Sequence, residues 1–594
     1  MEIDAYSSSS AMAIVALVAL LQGVSSMSIS ARYRYWLLLF SLLPMVAVLN
    51  RHKSSDMDTA RLSIEAGWNG LHPIQRLVEN GKIGFKNMLE GQSQTLDRAV
   101  KEYRRRYGRR PPPQFDKWFE LAYSENYVLI DEFDSIMETL EPFWGMRPAV
   151  IRSLVKSSVN AAQIAHLTVR DNSVTISGHH WLTSIIQGWL SKPDWLALLP
   201  NMELAINLLD EPRVVAPFDV IAEARKAAGS WHPSHSDSAS DEDLTNETVV
   251  EWANAPGSSA WPAIEVACPS GSPALTDDTV PRENTDATLY FIDNLTESRD
   301  ACTHADYKQI HGFLAAPESL IVTHSLIPIF SQGKPSMFQD VLYPSPYYTA
   351  RMEDYVDADD HDWEEKHDNL YWTGASTGGH SRIDNWRNLH RQRLVLMTEA
   401  DSTVPVTLLN ETRLNVWRPY QTSWSNITRF FDIRIMAVGA QCDPDACTAM
   451  REHFGLRPIP DPNDDPQKDP LSASYGSKYV LDMDGNSFSG RFYRVLGSRC
   501  AALKQTIIKE WHDGRLVPWV HFIPVSMEAE ELGEIMHFLI EEEVGQKIGK
   551  QIAEDGRNWA NTILRKIDLE LTFLRILMEY GRVVSDDRDS LYYE

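Results

Sequence analysis

Two stretches of the chain combine the residue types that hold a phosphate. In Lys478 to Cys500, Tyr479, Val480 and Leu481 read as an apolar strand and Asp482 to Gly490 as a small polar loop. Arg491 then opens a helix with Phe492, Val495 and Leu496 on its apolar face. Strand, glycine-containing loop and helix start bring N–H groups onto an anion, and an arginine there adds a bidentate clamp. Asn369 to Val395 repeats the pattern: a strand ending at Thr373, a small-residue loop from Gly374 to Gly379, then Arg382 before a helix. Ser376, Thr377, Ser487 and Ser489 are the expected backbone donors. A further candidate is Asp210, which ends the apolar stretch Glu203 to Leu209 just before Pro212. A carboxylate at the carboxyl edge of an α/β strand is placed for proton transfer, although an aspartate before proline also caps turns.

The stretch Lys478 to Cys500 resembles the signature of glycosyltransferase family 90, which holds the Rumi-like protein O-glucosyltransferases and the fungal capsule-associated xylosyltransferases. The resemblance continues into LVPWVHFIPV, Leu516 to Val525, similar to a Pro-Trp-x-His-x-x-Pro run of that family. It implies an α/β, GT-B-like fold of two Rossmann-like domains facing a cleft, and transfer of xylose or glucose from a UDP-sugar to a hydroxyl with inversion. Asp210 matches the family's general base, Arg382 and Arg491 its diphosphate clamp, and Gly374, Ser376, Thr377, Asp484, Ser487 and Ser489 its nucleotide-sugar loops. Lys334 and Asp340 match a stretch lining the cleft. Asp482 and Asp484 form an Asp-x-Asp, a pattern that binds a divalent cation in another fold. The two arginines can neutralise a diphosphate without one, so no metal is expected. Asp482 is read as structural and Asp484 as a ribose or sugar contact. The partners implied are UDP-xylose or UDP-glucose and a glycan or glycoprotein acceptor. A non-catalytic luminal carbohydrate-binding or scaffold protein is the alternative. A glycosidase would need a second carboxylate facing Asp210, and its neighbour Glu211 points to the other face of a strand.

These residues need elements to position them. Residues 90–350 are expected to form the acceptor and base domain, with a Ser/Asp/Glu-rich disordered insertion at about 229–300. Residues 351–565 are expected to hold the UDP-sugar, and a late helix from Trp559 to Tyr580 to pack back across both, leaving 566–594 as the C-terminal helix and tail. Ahead of them come a cytosolic tail and membrane anchor within residues 1–52, best carried by the apolar run Tyr35 to Leu49, and a stem at 53–89.

A net charge of −26 argues against a nucleic-acid binder, which needs a basic face. Five cysteines are too few for a disulfide scaffold. Cys442 and Cys447 are close enough for a local bridge, Cys268 and Cys302 are a second candidate pair, and Cys500 reads as a buried thiol. Asn-x-Thr sequons at Asn246, Asn294, Asn410 and Asn426, downstream of an anchor, point to a catalytic part in the lumen of the endoplasmic reticulum or Golgi.

Overall fold

The computed structural model describes residues 61–64, 68–178, 180–230, 250–254, 256–276, 289–350, 355–413, 416–457 and 469–593. The chain divides into two units, Met1–Arg61 and Leu62–Glu594, and the second carries both main sheets and the candidate site. The expected anchor within 1–52 and the sequon at Asn246 lie outside the described residues. Among the described residues, no helix is long and apolar enough to cross a membrane.

Two five-stranded sheets organise this unit. The first contains β1 (Ile164–Arg170), β2 (Ser173–Ile176), β3 (Met202–Asn207), β4 (Ile329–Ser331) and β5 (Val341–Leu342). Its order is β5-β4-β3-β1-β2. Strands β3, β4 and β5 are parallel, while β1 runs antiparallel to both β3 and β2. Asp171 and Asn172 make the β1–β2 turn at φ of 51° and 58°, the left-handed conformations that a tight hairpin requires. This half is therefore a mixed sheet.

The second sheet contains β6 (His367–Ala375), β7 (Phe431–Ala437), β8 (Ser477–Met483), β9 (Ala501–Gln505) and β10 (Ile523–Val525). All are parallel, in the order β7-β6-β8-β9-β10. In chain order this is 2-1-3-4-5, a doubly wound sheet whose direction of winding reverses between β6 and β8. The central strand β8 reads SKYVLDM and is buried along nearly its whole length, as a sheet covered on both faces demands.

The helices that matter for the site are α1 (Pro73–Gly91), α2 (Asp134–Trp144), α3 (Trp181–Trp189), α4 (His390–Thr398), α5 (Phe492–Gly497), α6 (Leu532–Glu541), α7 (Glu543–Ile563) and α8 (Lys566–Val583). The late crossing occurs between α7 and α8. Trp559 of α7 packs with Val480, Phe492 and Phe522 of the second half. Leu569, Phe573 and Leu577 of α8 pack with Leu204 and Phe330 of the first sheet. Helix α8 is buried on every side, so its charges are paired internally: Arg575 meets Glu579 at 2.6 Å, and Glu579 also accepts from Tyr103 at 3.0 Å.

Two expectations need correction. The stem does not extend to residue 89. Ile74, Leu77 and Val78 of α1 are buried in the core of the second sheet. His72 at its N-terminus stacks on Phe538 at 3.9 Å and meets Glu534 at 3.0 Å. Nor is the insertion at 229–300 disordered throughout. Residues 250–254, 256–276 and 289–300 fold around a Cys268–Cys302 disulfide, with Trp261, Ile264 and Ala274 in a buried cluster. The low-complexity composition is concentrated in 231–249, outside the described residues, and it masked these apolar neighbours. A second disulfide joins Cys442 to Cys447, and Cys500 is a buried free thiol.

Candidate active site

The carboxyl ends of β6 and β8 release the two glycine loops, 375–381 and 484–490, on either side of the point where the winding reverses. Crevices at such points are where open α/β sheets hold ligands. Small residues let the loops approach. A Cβ on Gly374 would stand 2.6 Å from the Trp372 ring, and one on Gly378 would stand 3.1 Å from the Gly485 carbonyl oxygen. Gly378 and Gly379 have φ of 102° and 137°, conformations that other residues rarely adopt. Gly379 also lies against Gly312, where an added Cβ would come within 2.6 Å, so a third segment, His311–Gly312, closes the crevice.

Arg391, on the first turn of α4, ties the loops together. Its Nε donates to the Asp484 carbonyl at 2.8 Å, and Nη1 donates to the Ala375 carbonyl at 3.2 Å and the Thr377 hydroxyl at 2.9 Å. Burial, with the neighbouring Arg491 charge, pushes its pKa down to about 9, which leaves it protonated at neutral pH. Arg491 donates to the Thr373 carbonyl at 2.8 Å. Both guanidinium groups lie over the same Trp372 ring, at 5.7 Å and 5.9 Å. Two like charges held this close are stable only when an anion joins them or carbonyl dipoles surround them, and the carbonyl dipoles are present.

Two histidines complete the crevice. His311 and His390 stack with centroids 4.6 Å apart and planes 3° from parallel. His390 Nδ1 accepts from the Gly312 N–H at 3.1 Å, so Nε2 carries the proton and donates to the Asp484 carbonyl at 3.0 Å. Burial, the His311 charge and the Arg391 charge push His390 down to about 3, which keeps this neutral tautomer. Asp484 Oδ2 accepts from the Ile507 N–H at 2.9 Å and meets His311 Nε2 at 3.2 Å. Burial works to raise the Asp484 carboxyl, but the His311 hydrogen bond and charge, Thr506 and Lys504 together hold it below the usual range.

Among the described residues, four buried polar atoms in this crevice have no hydrogen-bond partner: Asp484 Oδ1, His311 Nδ1, Asn486 Oδ1 and Ser487 Oγ. Buried polar groups in folded proteins are almost always paired, so unpaired ones gathered on neighbouring loops are candidates for contact with a ligand.

Asp210 stands beyond the carboxyl end of β3. The turn that carries it is wrapped by Asn207, whose side-chain amide donates to the Leu209 and Glu211 carbonyls at 3.2 Å and 2.8 Å. The Asp210 side chain is exposed, yet it sits low enough in the fold that burial raises its pKa, with His180 working the other way. Glu211 turns inward, and burial pushes it up to about 7. The two sheets meet through Tyr347, shortly beyond β5. Its ring covers Gly490, where an added Cβ would approach to 2.0 Å.

Four site expectations are corrected by this geometry. Arg382 does not enter the crevice: it donates to the Gly257 carbonyl at 2.7 Å and pairs with Asp384 at 3.3 Å, and Arg391 takes the place between the loops. The Ser376 N–H is no anion donor, because it is bonded to the Ala437 carbonyl at 2.9 Å. Asp340 does not face a sugar. It is fully buried and accepts from the Arg213 N–H at 2.9 Å, the Val214 N–H at 2.9 Å and the Ser331 hydroxyl at 2.6 Å, a staple for the segment that follows Asp210. Lys334 lines a separate cavity of about 400 Å³ with Glu138, Lys509 and Glu510, where burial pushes its amine down to about 7. Thr377 accepts from Arg391 at 2.9 Å, Ser487 and Ser489 are buried on the 484–490 loop, and Arg491 follows that loop.

Sequence reasoning missed Arg391, His390, His311 and Asn207. His390 and Arg391 open the helix after the 375–381 loop, a visible signal, whereas nothing near His311 in the sequence ties it to Asp484. Asp482 pairs with Lys504 at 3.0 Å, so one half of the Asp-x-Asp is engaged inside the sheet. Among the described residues, His304, Asp306 and Glu528 bring ligand atoms within 4.8 Å of one another. The Pro518–Pro524 run builds core. His521 accepts the Val517 N–H at 2.9 Å and stacks on Trp559, and Trp519 at φ 64° donates to the Ile292 carbonyl at 2.7 Å.

Sheet order and crevice together define a doubly wound α/β sheet with a polar crevice at its switch point. Residues 461–587 match the model of Glycosyl transferase family 90, and both stretches that carry the resemblance fall within that segment. An O-glucosyltransferase rumi homolog of Aedes aegypti is 31% identical over 112 residues, 18% of this chain and 27% of that protein. Protein O-glucosyltransferase 1 of Homo sapiens is 27% identical over 111 residues, again 18% of this chain and 27% of the relative. The chain thus spans about a quarter of the length of these curated relatives, which it matches over 27%.

Proposed function

We propose that this protein is an inverting, metal-independent glycosyltransferase that moves xylose or glucose from a UDP-sugar to a hydroxyl of a glycan or glycoprotein. The observation that carries the reading is the meeting of Arg391, Arg491 and two glycine loops at the switch point of a doubly wound sheet. The family-90 match covers the second of those loops. Arg491 holds the diphosphate and Arg391 fixes the loops and adds its charge, so that negative charge growing on the departing UDP is stabilised. Asp484 Oδ1, Asn486 and Ser487 offer their unpaired atoms to ribose or sugar hydroxyls. Asp210 takes the proton of the acceptor hydroxyl as that oxygen attacks the anomeric carbon, and burial raises its carboxyl above the usual range, which makes it a stronger base. Glu211 is turned away and buried, which favours a single-base displacement over a two-carboxylate hydrolysis. Lys504 already neutralises Asp482, and His311 lies against Asp484, which supports a site that works without a metal.

Two disulfides support an oxidising compartment, and the exposed Asn410 and Asn426 are open to glycosylation there. At Asn294 the side-chain oxygen caps a helical turn through the Thr296 N–H at 3.0 Å, and its amide nitrogen is the atom a glycan would join. We place the protein in the endoplasmic reticulum or Golgi membrane, anchored by Tyr35 to Leu49 with the catalytic part luminal. Calorimetric titration of the full chain with UDP tests the nucleotide site. Binding that weakens by at least ~10-fold in Arg491→Ala is expected, since one charge-assisted pair contributes about 1.5–3 kcal/mol. No UDP binding by the unmodified chain would overturn the reading.

A further inference from the structure

We propose that Trp181 is the platform for the acceptor, and that the acceptor is a saccharide whose ring lies against the exposed face of the indole. The inference rests on the transferase reading and adds the acceptor class to it. Trp181 is the first residue of α3. Leu182, Ile186 and Trp189 of the same helix are buried, whereas Trp181 keeps 42% of its surface in water. An indole left open at the start of a helix whose Leu182, Ile186 and Trp189 are buried asks for an occupant, and its neighbours say which.

His180 lies on one side. It caps α3 by accepting the Leu182 N–H on Nδ1 at 3.4 Å, and its ring is 5.5 Å from the indole. The same histidine lies close enough to Asp210 for its charge to act on that carboxyl. Tyr347 lies on the other side, edge-to-face with Trp181 at 6.0 Å and 79°. The Tyr347 ring rests on Gly490, the residue before Arg491. Trp181 therefore stands between the carboxylate at the end of the first sheet and the arginine loop at the end of the second. It is joined to one through His180 and to the other through Tyr347.

A pyranose has two C–H faces and a rim of hydroxyls. The indole takes a C–H face by dispersion and by removing it from water, while His180 and Asp210 take hydroxyls at the rim. Stacked there, a ring presents a rim hydroxyl to Asp210 on the side from which the donor comes. A serine or threonine of a polypeptide brings one hydroxyl on a short stem and no ring face to cover the indole.

The test uses the full chain, UDP release as readout, and three acceptor sets: methyl glycosides, short oligosaccharides and serine-containing peptides. Saccharides should be glycosylated. Trp181→Ala should raise the saccharide KM by ~10-fold or more with a smaller change in kcat, and calorimetric UDP affinity should stay within twofold. Trp181→Phe, which keeps a ring face, should recover most of the KM. An unchanged KM in Trp181→Ala with intact UDP binding would overturn this inference alone, as would turnover of peptides and not of saccharides. Absence of UDP binding by the unmodified chain would remove the transferase reading and this inference together.

Discussion

Replacing Asp340 by alanine should damage a site that the residue never touches. Its carboxylate accepts from the Arg213 and Val214 N–H groups, both at 2.9 Å, and from the Ser331 hydroxyl at 2.6 Å. All of this is sealed from water. Alanine would strand two buried N–H donors at about 1–3 kcal/mol each, a loss of about 2–6 kcal/mol. The Ser331 hydroxyl also loses the acceptor for its proton, since the Asn207 amide at 3.1 Å donates to its oxygen, so that sum is a lower bound. Asparagine keeps one acceptor oxygen but turns an amide donor toward the other N–H, so it should cost roughly half as much. The segment that loses its staple begins three residues after Asp210, so turnover should fall further than UDP affinity. Urea denaturation followed by circular dichroism reads the first effect, and UDP release with calorimetry reads the second. An alanine variant that loses less than about 1 kcal/mol, or that loses turnover and UDP binding equally, would refute the staple.

Glu211 gives a pH dependence with a defined sign. Its folded pKa is pushed up to about 7 from 4.5, so its contribution is fully present below pH 4.5 and is lost as pH rises through 7. The difference is on the order of 3 kcal/mol, and Glu211→Gln should flatten the stability profile between pH 4.5 and 7.5; parallel profiles would count against it. Arg391→Met should weaken UDP binding by at least ~10-fold by releasing the two loops, whereas Arg382→Ala should change it less than twofold; the reverse order would restore Arg382 to the site. Gly490→Ala should drive a methyl into the Tyr347 ring, lowering both the melting temperature and turnover. Adding Tyr347→Ala to that variant should recover the melting temperature without the turnover, and a normal single variant would show that Tyr347 does not cover the loop.

Much of the second half was legible because its pattern is local. An apolar strand, a run of small residues and an arginine lie within about a dozen residues at both Gly374 and Gly485, and each proved to leave a central parallel strand. Local pattern does not report which arginine turns inward. Arg382 follows its loop directly and is drawn off by Gly257 and Asp384, while Arg391, on the next helix, returns to bridge both loops. Contacts between distant segments were not legible at all. His311 meets Asp484 across 173 residues, and Asp340 reaches back 127 residues to Arg213. The folded part of the insertion was hidden for a related reason, since its stability comes from a disulfide between residues 34 apart and not from any periodic pattern.

The central claim is that Asp210 and the Arg491 loop act together on one transfer. The most direct measurement is UDP release by the full chain from UDP-xylose and UDP-glucose with a saccharide acceptor, with and without EDTA, beside Asp210→Asn. The account predicts turnover of one donor that survives EDTA, gives an inverted product and is lost in Asp210→Asn while UDP still binds. Turnover that persists in Asp210→Asn, or that EDTA abolishes, would contradict it.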